Sequence, residues 1–256
     1  MSFPQRELRP LYDAMLEATA LAEERHFWFR ALRRNARYLL ETALAGKTPG
    51  LIVDCGTGTG RNLDWLATLG PAIGVELSAT GLRIGRRAGR RLVRGSVTHL
   101  PFAAERADVV TSFDVLYCLD ESATSLALQE MWRILRPGGI ALVNTAALPS
   151  LRGSHSALTN EVRRYTRREL ASLLARHGFA VERITFTNMA TFPVVFAVRW
   201  TERLTGRADR ASDADLRVPV APVNGVFSAA LAGESALLRL VNLPIGTSLM
   251  CLARKR

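Results

Sequence analysis

Apolar residues along the chain follow two spacings. Before residue 45 they recur near i, i+3 and i+4 with charges between, at Leu11, Met15 and Leu16 and again at Leu32, Tyr38, Leu39 and Leu40, which predicts helices. From residue 51 short β-branched runs alternate with helical stretches. They predict strands over 51–54, 72–76, 91–94, 108–113 and 140–146, with helices over 60–69, 79–89 and 122–135. That alternation implies a doubly wound, mostly parallel α/β sheet covered on both faces. Pro137-Gly138-Gly139 reads as a helix stop and turn. Thr166 and Glu169 form a capping-box pattern opening a helix through Leu170, Leu173 and Leu174 that ends at Gly178. Strands over 181–187 and 248–253 follow, for seven in all.

Two stretches break this rhythm. His26-Phe27-Trp28-Phe29-Arg30 holds three adjacent aromatics, which cannot share one helical stripe, so a helix break or packed corner is expected. Between the last two strands the chain is apolar from Thr191 to Trp200, polar from Gly206 to Asp215, then helical again from Phe227 to Val241. A structureless loop of that length is unusual, so two helices joined by a linker are expected. They suit a substrate cap, a dimer contact or a surface-seeking amphipathic pair. The organisation is then an N-terminal helical lid at 1–48, a core at 49–187, a helical insertion at 188–244 and a final core strand at 245–256.

Composition changes this picture little. The 256 residues are 48% hydrophobic, enough for one sizeable core. The net charge of +11 is carried almost wholly by arginine, with lysine only at Lys47 and Lys255, so it reads as the bias of a GC-rich bacterial genome. The arginines are dispersed, which argues against nucleic acid. An acidic substrate or an anionic membrane surface stays compatible with the summed field. No uncharged apolar run reaches about 18 residues and the N-terminus has no apolar signal core, so a cytoplasmic protein without a transmembrane segment is expected. Cys55, Cys118 and Cys251 are scattered, without metal spacing or a disulfide framework, and no metal is expected.

The candidate chemistry centres on Asp54-Cys55-Gly56-Thr57-Gly58-Thr59-Gly60, between an apolar strand and a helix. Strand, glycine turn and helix frame a nucleotide-type site, because glycine permits positive φ and leaves no Cβ in the way. A dinucleotide loop needs Gly-x-Gly-x-x-Gly, but here the third glycine comes one residue early. Asp54 would repel a pyrophosphate and welcome an ammonium group. The next strand ends at Glu76, 76 − 58 = 18 positions after Gly58, where a carboxylate accepts from both ribose hydroxyls.

With these residues the chain resembles the class I S-adenosylmethionine-dependent methyltransferases, in the type 11-like, small-molecule subgroup. Asp54-x-Gly56-x-Gly58-x-Gly60 is similar to their first motif and Gly74-Val75-Glu76-Leu77-Ser78 to their second. Leu100-Pro101-Phe102 with 107–112 resembles the segment through their fourth strand, and Leu135-Arg136-Pro137-Gly138-Gly139 the turn into their fifth. The resemblance covers residues 50–185 and implies a Rossmann-like sheet whose last two strands form an antiparallel edge hairpin, giving an antiparallel edge strand. It implies an S-adenosylmethionine site, product S-adenosylhomocysteine, at Asp54, Gly56, Thr57, Gly58, Glu76, Leu77, Ser96, Val97, Ser112 and Phe113. Ser96 stands where many relatives carry an acid for the adenine amino group. In that family the N-terminal helices close over the cofactor, which would bring Trp28 or Phe29 to it and pair Arg30 or Arg33 with its carboxylate; plain docking of those helices on the core is the other reading.

The expected activity is methyl transfer to a small acceptor, acidic or lipophilic, at oxygen. His155, in the loop after the fifth strand, is a candidate base, and Tyr117, after the fourth, flanks the same rim. A homodimer is compatible with the insertion. The alternatives are a catalytically silent binding or regulatory protein on the same fold, and an NAD-dependent oxidoreductase, which Arg61 and Asp54 disfavour.

Overall fold

The computed structural model describes residues 5–152, 161–205 and 218–256, with side chains from Tyr12 onward. Two helices lead, α1 (Gln5–Ala22) and α2 (Phe27–Leu44). The sheet strands are β1 (Ile52–Cys55), β2 (Ala72–Glu76), β3 (Leu92–Arg94), β4 (Ala107–Phe113), β5 (Leu135–Ala146), β6 (Phe179–Thr187) and β7 (Ser248–Lys255). Helices α3 (Leu63–Leu66), α4 (Ala79–Arg87), α5 (Glu121–Ile134) and α6 (Arg167–Arg176) connect them, and α7 (Phe192–Leu204) and α8 (Ala221–Leu238) lie between β6 and β7.

The seven strands run in the order β3-β2-β1-β4-β5-β7-β6. Pairings from β3 to β5 are parallel, and β7 is antiparallel to both β5 and β6. Strand order reverses between β1 and β4, so the crevice for a ligand opens beyond the C-terminal ends of these two strands. The middle strands are apolar on both faces because helices cover both: Ile52, Val53, Val109, Val110, Ala141, Leu142 and Val143 are fully buried. Leu39 and Leu40 of α2 and Leu128 and Met131 of α5 complete the core.

Several elements differ from the sequence expectation. The helix after the glycine turn shrinks from 60–69 to α3, because Gly60 sits at φ 78°, outside helical space. β5 starts at Leu135, before Pro137-Gly138-Gly139, since Leu135 already pairs with Ala107; the register shifts there and Gly138 takes φ 73°. The insertion does contain two helices, with α8 starting at Ala221, where Pro222 can occupy its first turn without losing a hydrogen bond. The capping box at Thr166 and Glu169 is present.

The aromatic corner is the break between α1 and α2. His26 caps α2, its Nδ1 accepting from the Trp28 N–H at 3.2 Å. Each ring then finds its own neighbour. Phe27 lies 5.0 Å from Phe227 of α8, and Trp28 meets Phe29 edge-on at 4.9 Å. Asn224 of α8 binds this corner on both sides, accepting from the Phe27 N–H (3.1 Å) and donating to the Arg25 carbonyl (3.0 Å).

Candidate functional site

The turn after β1 is built around three left-handed glycines, at φ 76° for Gly56, 58° for Gly58 and 78° for Gly60. Their need for glycine is also steric: a Cβ on Gly56 would stand 2.5 Å from Val115. Gly74, in β2, is held bare by the same turn, since a Cβ there would meet Thr57 at 2.5 Å. The turn is thus pressed between β2 and the segment after β4.

Two carboxylates organise it. Asp54 is buried, and both its oxygens accept hydroxyls at 2.6 Å, one from Thr57 and one from Thr111 on β4. Burial outweighs these bonds and raises its pKa to about 6. Glu76 is also buried, with Oε2 accepting from the Gly58 N–H and Oε1 from the Ser78 N–H, each at 2.7 Å. Its pKa is raised by burial and opposed by these backbone donors. Glu76 therefore ties the end of β2 to the glycine turn and to the start of α4, whose N-cap is Ser78.

α1 lies across this assembly. Tyr12 lies beside Glu76, whose carboxylate adds to burial of the hydroxyl in lifting the phenol well above its usual range. Asp13 accepts from the Ser78 hydroxyl at 2.8 Å, and Leu16 comes within 3.4 Å of the Cβ position of Gly58. At the far end Glu23 accepts from Thr59 Oγ1 at 2.7 Å, with Arg90 4.0 Å away, and Glu24 pairs with Arg61. Burial raises the Glu23 pKa against these partners.

Beyond β4, Asp114 is held at φ 61°, an unusual backbone for a side-chain-bearing residue. Its N–H donates to the Asn144 carbonyl (2.9 Å) and its carboxylate accepts from Asn144 Nδ2 (3.0 Å), which fixes it between the ends of β4 and β5. Burial raises its pKa to about 7, only partly opposed by Asn144. Asn144 Oδ1 is buried without a partner. Tyr117 sits close to Asp114, Cys118, Glu161 and Tyr12, and burial, with the nearby acids adding to it, raises its phenol.

The residues singled out in the sequence fall into groups. Asp54, Gly56, Thr57, Gly58 and Glu76 meet in one hydrogen-bonded unit. Leu77 is exposed beside it, and Ser96 and Val97 follow β3, where Ser96 Oγ bonds Thr98 Oγ1 at 2.8 Å. Ser112 is buried in β4, while Phe113 turns to Trp65 with ring centroids 6.4 Å apart. Arg33 donates to the Glu23 carbonyl at 2.7 Å, and Trp28 packs on the core. His155 lies outside the described residues. Sequence reasoning missed Tyr12, Asp13 and Asp114. Phe113-Asp114-Val115, an acid leaving an apolar strand next to the glycine turn in fold order, was the available signal for the last.

Among the described residues no three His, Cys, Asp or Glu side chains gather as a metal site, and no helix is long and apolar enough to cross a membrane. The donor set fits a nucleoside with an amino-acid tail: a buried carboxylate with two oxygens at the second strand end, bare backbone at the turn, and a second buried acid beneath it. Residues 53–143 match the family described as Methyltransferase domain. A protein of Mycolicibacterium smegmatis named as an S-adenosylmethionine-dependent methyltransferase is 32% identical over 168 residues, 63% of this chain and 62% of its own length. Residues 53–143 belong to that methyltransferase-domain family, and the sheet around them has the fold of the class I S-adenosylmethionine-dependent methyltransferases.

The methyltransferase core is also similar to a ubiquinone/menaquinone biosynthesis C-methyltransferase of Syntrophotalea carbinolica, 32% identical over 157 residues, 57% of this chain and 64% of that protein. The chain thus spans less than two thirds of the length of these curated relatives. Phosphoethanolamine N-methyltransferase 2 of Haemonchus contortus, solved with S-adenosyl-L-methionine, has a TM-score of 0.61 at 16% identity, over 97% of this chain and 60% of that one. This last likeness is one of fold. Within the methyltransferase core, the side chains of α1 now stand against the glycine turn and Glu76.

Proposed function

We propose that the protein transfers a methyl group from S-adenosylmethionine to a small acceptor bearing an acidic hydroxyl, in the cytoplasm. The observation that carries this reading is Glu76, a buried carboxylate at the end of β2 bonded to the glycine turn at Gly58. Glu76 would hold the ribose hydroxyls, the backbone from Gly56 to Gly58 the methionine portion, and Leu77, Ser96 and Val97 the adenine. The bound cofactor supplies a methyl carbon made electrophilic by the adjacent sulfonium.

The protein's own part is alignment, exclusion of water and removal of one proton. Asp114 is the group we assign to that proton. It lies at the end of β4 beside Tyr117, and a carboxyl poised at about 7 takes a proton near neutrality. Asn144 orients it. His155 remains the second candidate, by its place in the sequence after the fifth strand. Residues 1–48 serve as the lid, with α1 moving to admit the nucleoside, 49–187 and 245–256 form the core, and 188–244 form the added helical element.

Methylation at oxygen follows from a deprotonated hydroxyl. A phenolate also delivers its electrons through a ring carbon, and the Syntrophotalea relative is named a C-methyltransferase. A second reading, a silent binding protein, draws on α1 lying across the glycine turn and Ser78. Calorimetry with S-adenosylhomocysteine tests the first step: saturable binding to the native chain, lost in Glu76→Ala, is expected, and absence of binding rejects the proposal. Labelled-methyl transfer over a panel of phenols and carboxylic acids, with products assigned by NMR, separates turnover at oxygen, turnover at carbon and silence.

A further inference from the structure

α8 packs one side against α2 and leaves the other in water. Its inward stripe is Asn224, Phe227, Leu231, Ser235 and Leu238. Its outward stripe is Val223, Val226, Ala230, Gly233 and Leu237, continued just past the helix by Leu240, all exposed, and nothing lies within 4 Å of a Cβ built on Gly233. Apolar exposure is concentrated in this part of the chain, five such residues lying on α7 and three on α8. Of the 18 large hydrophobic side chains exposed among the described residues, 13 lie from Val194 onward, including Val226 at 68% and Leu240 at 82%. A shallow hollow of about 240 Å³ at Pro222, Val223, Val226 and Phe227 continues the same face.

No charged residue interrupts this surface. The one charged residue within α8, Glu234, is buried, where it accepts from the Asn188 and Ala190 N–H groups at 2.6 and 2.9 Å. The flanks, by contrast, are basic. Phe27, Arg34 and Tyr38 share a stripe of α2 by their spacing, and this is the side that meets α8 through Phe227 and the Arg239 carbonyl. Arg25 lies at the corner that Asn224 holds, and Arg239 sits at the C-terminal end of α8 over the Tyr38 ring. Among the described residues Arg25, Arg34 and Arg239 form no ion pair with a carboxylate. The whole chain carries +11.

An uncharged apolar face with an arginine flank matches one kind of surface. We infer that α8 docks the protein peripherally on an anionic lipid bilayer, its valine and leucine face entering the headgroup–acyl boundary and the arginines meeting lipid phosphates. The occupant is a bilayer and not a second copy, because pairing α8 with α8 about a two-fold would set each arginine flank near its own image. The face also offers no hydrogen-bonding side chain and no deep recess that would select one protein partner. Docking here leaves the C-terminal ends of β1 and β4 on the described core, so the inference stands whether or not the methyl-transfer proposal holds.

The test is co-sedimentation of the full chain with vesicles of phosphatidylcholine alone and of phosphatidylcholine mixed with phosphatidylglycerol. Binding to the mixed vesicles, weakened by salt, is expected. Arg34→Gln and Arg239→Gln should each weaken it roughly fivefold. Val226→Asp with Leu240→Asp should abolish it while the thermal midpoint holds, both positions being exposed. Equal binding to both vesicles, or no binding to either, overturns the inference. So does a concentration-dependent dimer, seen by light scattering, that the double aspartate variant dissolves. If that variant misfolds, the salt and lipid dependence of the native chain and of the arginine variants still decides.

Discussion

Around the glycine turn, Asp54, Glu76 and Glu23 leave water and each meets a donor from another element: Thr111, Ser78 and Thr59. On α8 the opposite holds, and a whole stripe of valine, leucine, alanine and glycine stays in water. Small residues serve both regions differently. Gly56 and Gly74 are bare because protein presses on them, whereas Gly233 is bare with open space around it. The turn is closed against its surroundings, so changes there propagate; the α8 face is unfilled on its own chain and tolerates change in isolation.

The sharpest way to break this contrast is a matched pair of substitutions. Gly74→Val should destabilise the protein by about 3 kcal/mol through overpacking against Thr57, and Gly233→Val should change stability by less than about 0.5 kcal/mol. Denaturant titration of both variants checks this, and similar losses for the two would erase the distinction. Next in size, Asp114→Asn should lower methyl transfer by about a hundredfold or more while S-adenosylhomocysteine still binds. Single-turnover kinetics beside calorimetry separates the two effects.

The buried acids of the turn add a pH signature that the outward face of α8 lacks. Asp54 has a folded pKa raised from 3.8 to about 6, so between these values the native state binds more protons than the unfolded chain. Its contribution to stability is full below the lower value and declines as pH rises through the window, on the order of 3 kcal/mol in all. Asp54→Asn should flatten the thermal midpoint between those limits relative to the native chain; an unchanged slope would remove Asp54 from the account. The smallest effect concerns α1. Asp13→Ala removes the Ser78 bond that holds α1 over the turn and should tighten S-adenosylhomocysteine binding, read by calorimetry, by about fivefold, the worth of about one hydrogen bond.

Much of the closed region is legible in the chain itself. Glycine spacing and a strand ending in an acid pointed to Gly58 and Glu76, because both features are local and periodic. Asp114 escaped notice because an acid after a strand is ordinary; what distinguishes it is burial and the Asn144 amide, which arrives from 30 positions away. Tyr12 and Asp13 looked like polar residues on a helix, and only the placement of α1 across α4 brings them to Glu76 and Ser78. The length of α3 was misread since helical periodicity ignores the left-handed Gly60. For α8, apolar content was visible, but which side α2 would cover was not, as Asn224 and Phe227 are inconspicuous without their partners Phe27 and Arg25.

The stems of the insertion are bonded neighbours: Thr187, the last residue of β6, pairs directly with Ser248, the first of β7. Two chain ends already stitched together behave like a socket. Whatever is spliced between them, long or short, leaves the ladder behind it in register, so the hairpin lets this sheet acquire, lose or exchange an accessory module without renegotiating its interior.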